Sequence, residues 1–353
     1  MALEYKPNLH EAVRRMERFW ALEPPEDRVP VVIHLANGTR GGLDGYYFGR
    51  TKEYADNAEE HFKRRAVIPD EYIPQFFPQY GHVIFAALCG AEIKHAGQTL
   101  WAMPFIDDLQ SFAELRLDWD NEWGKRFIED YAYLTERARG KCYVSEYGLE
   151  GVSDTLSAFR GAEQVFYDFA DEPEAAYALA VRVTDLLIEF GRWNNAHIGG
   201  RAGAPEGMSS DWAFWMPRGS CCMAEDFAAM CGTGFYCAHI KKHTQRLASS
   251  FTQAVFEVHK EMNHLIGDFG DTNGISLMTI ENFFGMDARH RVELKRLAGK
   301  RCFYIGAQPD RIEDVLSFMG TKGVLIITHA RSTDEAKIIL NDAERITQRL
   351  HQV

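Results

Sequence analysis

The feature that most constrains the fold is a regular alternation of short apolar runs with amphipathic stretches in the C-terminal part of the chain. Four short apolar runs lie at 254–259, 274–281, 301–306 and 323–329, and each ends in a polar residue or glycine. Around them, apolar residues recur at helical spacing at 235–251, 287–298, 311–319 and 332–350. Strands that alternate with single helices are typical of βα units in a parallel sheet. The close spacing favours a barrel over separate domains.

The N-terminal part shows the same kinds of element at wider spacing. We predict a helix at 9–20, strands at 29–35 and 142–146, and a helix at 172–190. Two longer stretches, 41–102 and 197–217, interrupt the rhythm, and loops of such length commonly cover binding sites. A barrel of eight βα units takes about 250 residues and often carries insertions. The prediction is one α/β domain over residues 1–353, a (β/α)8 TIM barrel with an N-terminal helical extension and long loops at the barrel mouth.

Charge and composition argue against several functional classes. The formal net charge is -12 at pH 7, which does not suit a broad phosphate-binding surface. No apolar run reaches the roughly twenty residues that a membrane span needs, and the N-terminus lacks a signal-peptide pattern. Seven cysteines without a CxxC pair are typical of reduced thiols. We therefore expect a cytoplasmic protein that binds neither nucleic acid nor membranes.

Polar residues at the ends of the predicted strands are the candidates for chemistry, because barrel enzymes place their active sites there. They are Asn37, Glu146, His259, Glu261, Glu281, Gln308 and His329. His259 and Glu261 follow one strand, and His329 ends the last strand. Imidazole and carboxylate groups in this combination can bind zinc or a similar divalent metal and leave a position open for substrate. We predict His259, Glu261 and His329 as metal ligands.

The same groups also suit acid–base chemistry without a metal, because a carboxylate beside an imidazole in a partly dry cleft can have its pKa moved towards neutrality. We predict catalytic roles for Glu261, Glu281 and His264, and His264 can equally pack against the following helix. The predicted substrate-binding residues are Asn37, Arg40, Glu146, Arg160, Trp212 and Gln308. Arg160 has an alternative structural role in an ion pair with Glu163 or Asp154.

Known phosphate-binding and nucleophile motifs are missing from the sequence. It contains no GxGxxG dinucleotide loop, no GxxxxGK[ST] phosphate loop and no GxSxG nucleophile elbow. The first two absences weaken nicotinamide and nucleotide hypotheses, and the third weakens a serine-hydrolase hypothesis.

Several segments, in order, resemble the uroporphyrinogen decarboxylase superfamily, which also includes corrinoid-dependent methyltransferases. The segments are 68–70, 81–90, 100–107, 151–161, 171–173, 258–259, 274–281, 285–287, 294–295 and 303–306. The resemblance covers most of the chain and implies the barrel fold. Uroporphyrinogen decarboxylases carry an arginine-rich N-terminal motif and an aspartate that holds the pyrrole nitrogens, whereas the loop 36–45 offers only Arg40 and the stretch 77–89 contains no acid. We therefore do not expect decarboxylation of uroporphyrinogen.

The zinc methyltransferases of this superfamily present a His-x-Cys pair and a further cysteine, where this chain has His259-x-Glu261 and His329. This departure from the family pattern implies harder metal ligands and disfavours thiolate substrates, and it leaves open methoxy or methylamine-type donors or another metal-assisted reaction. Our leading hypothesis is a metal-assisted methyltransferase that moves a methyl group from a small methylated substrate to a separate corrinoid protein. The alternatives are a cofactor-free decarboxylase or lyase that uses Arg40 and Arg160, and a non-catalytic ligand-binding barrel. Exposed aromatic loops are consistent with a homodimer.

Overall fold

A parallel sheet lies at the centre of the molecule. The computed structural model of the protein describes residues 3–35, 48–96, 99–197 and 207–351. Its strands are β1 (Val31–Leu35), β2 (Gln75–Phe76), β3 (Ile93–Ala96), β4 (Thr99–Ala102), β5 (Tyr143–Val144), β6 (Leu149–Glu150), β7 (Met208–Ser209), β8 (Trp215–Met216), β9 (Cys221–Ala224), β10 (Ala254–Glu257), β11 (Ile275–Ile280), β12 (Cys302–Gly306) and β13 (Val324–Ala330). In the described residues, seven strands form one sheet in the order β1-β13-β12-β11-β10-β9-β6.

Helices separate most of these strands. They are α1 (Leu9–Trp20), α2 (Thr51–Arg65), α3 (Ile84–Leu88), α4 (Glu122–Ala138), α5 (Val152–Arg160), α6 (Ala162–Asp171), α7 (Pro173–His197), α8 (Thr233–Phe235), α9 (Lys241–Ala248), α10 (Ile266–Gly270), α11 (Ala288–Leu297), α12 (Ile312–Met319) and α13 (Thr333–His351). Short 3-10 helices occupy Leu109–Glu114, Asp226–Met230, Lys260–Leu265 and Pro309–Arg311, and a π-helical turn occupies Tyr236–Ile240. The predicted alternation of strands and helices is confirmed in the C-terminal part.

The strands of the central sheet pair in parallel and are buried on both faces. Along β11 the side chains alternate: Leu277 belongs to an inner apolar cluster, whereas Met278 belongs to the larger cluster that packs against the helices. Leu325 and Ile326 divide in the same way on β13. A parallel sheet covered on both faces explains why these strands read as continuous apolar runs.

Helix α1 packs against the inner apolar cluster at the N-terminal ends of the strands. Its Met16 and Phe19 are buried in that cluster, and the backbone carbonyl of Phe19 accepts a hydrogen bond from the Cys302 thiol at the start of β12, at 3.3 Å. The Trp20 indole donates to the carbonyl of Trp215 in β8 at 3.2 Å. Because α1 covers this end, polar side chains of the sheet collect at the opposite, C-terminal ends of the strands.

Two buried acids tie the segment before β2 to β1. Glu71 accepts the Val31 amide at 2.7 Å, and Asp70 accepts the Ile33 amide at 3.0 Å. Arg28 and Arg65 neutralise the two carboxylates, at 2.5 Å and 2.7 Å respectively. Each carboxylate therefore accepts the hydrogen bond of a β1 amide, and each is paired with a buried guanidinium, as burial of a charge requires.

The predicted long loops contain regular structure of their own. The stretch 41–102 includes α2, α3 and the antiparallel hairpin β3–β4, and the stretch 197–217 includes the hairpin β7–β8. The helix predicted at 235–251 is divided by the π-helical turn, and the strand predicted at 142–146 is reduced to two residues. No helix of the described residues has a stretch long and apolar enough to cross a membrane.

Candidate functional site

A cavity of about 530 Å³ opens at the C-terminal ends of β10, β11 and β12. Its volume lies in the range of small-molecule sites, roughly 300 to 1,000 Å³. The lining carboxylates are Asp211, Glu257 and Glu281, the imidazoles are His34, His82 and His259, and the aromatic rings are Tyr54, Tyr72, Phe77, Trp212 and Tyr304. Three residues that were predicted from the sequence, His259, Glu281 and Trp212, thus line the same cavity.

His259 lies among the carboxylates of Asp226, Glu257 and Glu281. It follows the end of β10 and precedes the 3-10 helix Lys260–Leu265. Its Nδ1 is 3.2 Å from the Glu281 carboxylate, and its Nε2 is 3.4 Å from Asp226 and 3.7 Å from Glu257. The hydrogen bond to Asp226, with the negative charges of Glu257 and Glu281, raises the pKa of His259 to about 9 against the opposing effect of burial. The ring is therefore an imidazolium at neutral pH.

The pairing of β10 with β11 brings His259 and Glu281 together. These strands are parallel neighbours, with Phe256 opposite Met278, so the residues that follow them emerge side by side. Glu281 accepts both the His259 ring and the Lys260 backbone amide, the latter at 3.3 Å. Val258 anchors the turn by donating its amide to Thr279 at 3.1 Å. The position of the imidazole is thus fixed by two adjacent strand ends.

Gln75 and Asp211 also line the cavity. The Gln75 side-chain amide donates to the Asp211 backbone carbonyl at 3.3 Å. Behind Asp211 lies Glu146, whose pKa burial raises well above its usual range, while the Cys222 thiol contacts it and opposes that shift. The negative charge of Asp211 raises the pKa of Glu146 further. Glu146 is not one of the residues that line the cavity.

Two further acids, Glu225 and Glu150, lie close to the start of α5. Glu225 accepts the Val152 and Ser153 amides at 3.2 Å and 2.9 Å at the start of α5, where the helix dipole favours a carboxylate. Burial, with the nearby charge of Asp226, raises the pKa of Glu150 to about 8. Neither acid was a sequence candidate.

The predicted metal ligands do not assemble into a metal site. Glu261 is 55% exposed and pairs with Lys260 at 3.5 Å, and His329 packs against the His34 ring with 5.7 Å between centroids. Both nitrogens of His259 face carboxylates at hydrogen-bonding or ion-pair distances. Across the described ranges, no three His, Cys, Asp or Glu side chains are arranged to hold a metal ion. The residues as placed do not fit the predicted metal.

Three other predicted residues are not among those that line the cavity. The His264 ring contacts the carbonyls of Cys231 and Glu261, at 2.8 Å and 3.2 Å. Arg160 forms an ion pair with Asp168 at 2.7 Å, which is a structural pairing, although with a different acid from those expected. Gln308 is exposed at the start of the 3-10 helix Pro309–Arg311.

Asn37 and Arg40 lie outside the described residues. The sequence interpretation also missed His34, Gln75, Asp211 and Glu257, which line the cavity. His34 could have been found, because it lies two residues after Val32 on β1 and therefore on the same face of the strand. Gln75 and Asp211 belong to a two-residue strand and a hairpin, where no periodicity exists to read.

Similarity to known proteins is found at the level of the structure. No protein-family profile matches the chain, and no curated protein matches its sequence. Among solved structures, a methyltransferase from Methanosarcina mazei matches with a TM-score of 0.62 over 97% of this chain and 98% of that chain, at 13% sequence identity. The two chains share a fold. The similarity extends over almost the whole of both proteins.

Proposed function

We propose that this protein is a methyltransferase whose cavity binds a small methylated substrate and whose methyl acceptor is a separate corrinoid protein. The observation that carries the proposal is His259, held as an imidazolium among Asp226, Glu257 and Glu281 at the wall of a substrate-sized cavity. The fold shared with a methyltransferase structure supports it. The position of the cavity at the strand ends is where barrel enzymes carry out their chemistry.

In this reaction the bond between the methyl carbon and its heteroatom breaks, and the electron pair stays on the heteroatom. The reduced corrinoid supplies the electron pair of the new bond to the methyl carbon. His259 can give a proton to a heteroatom that would otherwise leave as an anion. Its hydrogen bond to Glu281 and its ion pairs with Asp226 and Glu257 also hold the carboxylates in place.

We infer that the central sheet closes into a (β/α)8 barrel. Backbone hydrogen bonds support this, because Glu71 donates to Val31 at 2.9 Å, Tyr143 to Pro74 at 2.9 Å, and Ser145 to Phe76 at 2.9 Å. These bonds connect β1 to the β2 segment and the β2 segment to β5. Membership of the uroporphyrinogen decarboxylase superfamily, a single domain over residues 1–353, the divalent metal, the homodimer and the cytoplasmic location stay predictions.

The decarboxylase alternative has less support from the cavity. A carboxylated substrate needs cationic partners, and no arginine or lysine is among the described residues that line the cavity. Arg160 is engaged by Asp168 and by the carbonyl of Asp107 at 2.8 Å. Methyl transfer from a substrate without a carboxylate suits this lining better.

A methyl-transfer assay with purified protein tests the proposal. Methoxyarenes and methylamines serve as donors and reduced cobalamin as acceptor, and the absorbance change on its methylation is followed. We expect turnover with at least one donor and a fall of at least about tenfold in His259→Gln, because misplaced or missing acid–base groups cost that much or more. His10→Gln, an exposed residue on α1, is the matched control.

Two outcomes would overturn the proposal: no methyl transfer from any donor, or the same rate in His259→Gln as in wild type. Release of CO₂ from carboxylated substrates without cobalamin would favour the decarboxylase instead. Metal content of wild type, His259→Ala and His329→Ala, measured by mass spectrometry, tests the metal separately.

A further inference from the structure

The strands of the described residues contain one glycine, Gly306, the last residue of β12. It is half-buried and lines the cavity, so a bound molecule can reach it. Glycine in a strand costs stability relative to alanine, because it loses more conformational freedom on folding. Strands contain it mainly at bulges, at bends or where another backbone or a ligand comes close. The structure distinguishes between these reasons at Gly306.

Neither the backbone nor the packing requires glycine at this position. Gly306 is not among the described glycines of positive φ, so other residues can adopt its conformation. The ladder to β13 runs without a register shift from Phe303 to Gly306, opposite Ile327, and the Ala307 amide continues it by donating to the Ile327 carbonyl at 2.9 Å. A Cβ at Gly306 would lie 3.7 Å from Cγ2 of Ile327, an ordinary contact distance, and, apart from its chain neighbours, no other heavy atom of the described residues lies within 4 Å of it.

The missing side chain leaves space on the inner face of the sheet. Tyr304 belongs to the inner apolar cluster, and alternate residues of a strand share a face, so Gly306 faces inward beyond the Tyr304 ring. Ile327, opposite Gly306 on β13, packs against the same cluster. On the other side, Glu281 contacts the His259 ring at 3.2 Å, so its carboxylate lies towards β10 and away from β12. The space is therefore bounded by apolar surfaces.

We propose that Gly306 is a specificity-determining residue, and that the niche it leaves between Tyr304 and Ile327 takes an apolar alkyl or aryl group of the substrate. The inference rests on the proposed function in treating the bound molecule as a substrate whose reacting heteroatom lies at His259. Strand β12 lies two strands from β10, and neighbouring strands are about 4.8 Å apart. The niche is thus roughly 10 Å along the sheet from His259, and the substrate spans that distance.

Calorimetric titration of the full-length protein with three phenols tests the niche. Phenol, 4-ethylphenol and 4-propylphenol share a hydroxyl group and a ring, and they differ in the alkyl group at the opposite end of the ring. We expect wild type to bind 4-ethylphenol about fifteenfold more tightly than phenol, because each buried carbon contributes about fourfold. 4-Propylphenol should bind more tightly again.

Two variants, Gly306→Ala and Gly306→Val, fill the niche stepwise. Gly306→Val should bind phenol as wild type does and lose the gain from the alkyl groups, and Gly306→Ala should lose part of it. Because the native backbone suits alanine, Gly306→Ala should melt at or above the wild-type temperature. Gly232→Val is the matched control: this exposed glycine has φ -67° and ψ 150°, an added Cβ has no neighbour within 4 Å among the described residues, and all three affinities should stay as in wild type.

Equal affinity of wild type for phenol and 4-ethylphenol, or no binding of any of the three, would overturn the inference, as would an undiminished gain in both Gly306 variants. A melting temperature of Gly306→Ala clearly below that of wild type would also overturn it, because the fold would then require glycine. The two proposals fail separately. A gain lost in Gly306→Val without any methyl transfer would refute the methyltransferase and keep the niche. Methyl transfer with the same KM in wild type and Gly306→Val would keep the methyltransferase and refute the niche.

Discussion

Removing the charge of Glu71 should cost far more stability than removing an exposed charge. Its side chain is fully buried, and its two oxygens accept hydrogen bonds from Arg28 at 2.5 and 3.0 Å, Arg15 at 3.1 Å and the Val31 amide at 2.7 Å. Glu71→Gln leaves the buried Arg28 guanidinium without its counter-charge and turns an amide NH₂ towards other donors. Breaking a buried ion pair from one side costs about 3–5 kcal/mol.

The matched control is Glu26→Gln. Glu26 is 45% exposed at its side chain and pairs with Arg14 and Arg18 at 3.4 Å each, and exposed pairs contribute about 0–1 kcal/mol. Equilibrium unfolding in urea, followed by tryptophan fluorescence, gives both free energies of unfolding. Since domains are stable by only about 5–15 kcal/mol, Glu71→Gln should lower the midpoint strongly. A loss below about 1 kcal/mol, or an equal loss in Glu26→Gln, would refute the reasoning.

Two further predictions concern pH and backbone geometry. Burial lowers the pKa of His61 to about 3, below its unfolded value of about 6.5, so the stability that its neutral form contributes is complete above pH 6.5 and is lost as the pH falls towards 3. Urea midpoints should therefore drop less between pH 7 and pH 4.5 in His61→Gln than in wild type, and equal drops would contradict this. Gly207 has φ +78°, and an added Cβ would lie 2.5 Å from the Met216 carbonyl, whereas Gly140 has φ +72° and open space. Gly207→Ala should lower the melting temperature clearly more than Gly140→Ala, because Gly140→Ala meets only the left-handed backbone cost of about 1–2 kcal/mol. Similar losses in the two variants would contradict this and show that the β7–β8 hairpin shifts to accommodate the methyl group.

The local sequence pattern predicted the C-terminal strands well because each is long enough to be recognised as an apolar run. β10 to β13 are apolar runs of four to seven residues. They are buried on both faces and separated by helices, so each apolar run in the sequence coincides with a buried strand in the structure. β2, β5 and β6 have two residues each. A two-residue strand has no period, so only its partners in the sheet identify it.

His259 and Glu281 were predicted for a reason that the sequence contains: each ends a predicted strand, and consecutive strands of βα units are commonly neighbours. Which side chains accompany them depended on the tertiary structure. Glu261, two residues from His259, turns outward with the 3-10 helix Lys260–Leu265, whereas Asp226 reaches the imidazole from a segment that precedes β10.

The amino-acid sequence by itself determined the alternation of buried strands and amphipathic helices, the burial of α1, and the polar character of the strand ends, because hydrophobic burial follows local periodicity. Only the tertiary structure decided the charge of His259, the raised pKa of the buried Glu146 and the direction of the Gln75 oxygen. These properties depend on distances of 3 to 4 Å between residues far apart in the chain, and electrostatic and hydrogen-bond energies change steeply over such distances.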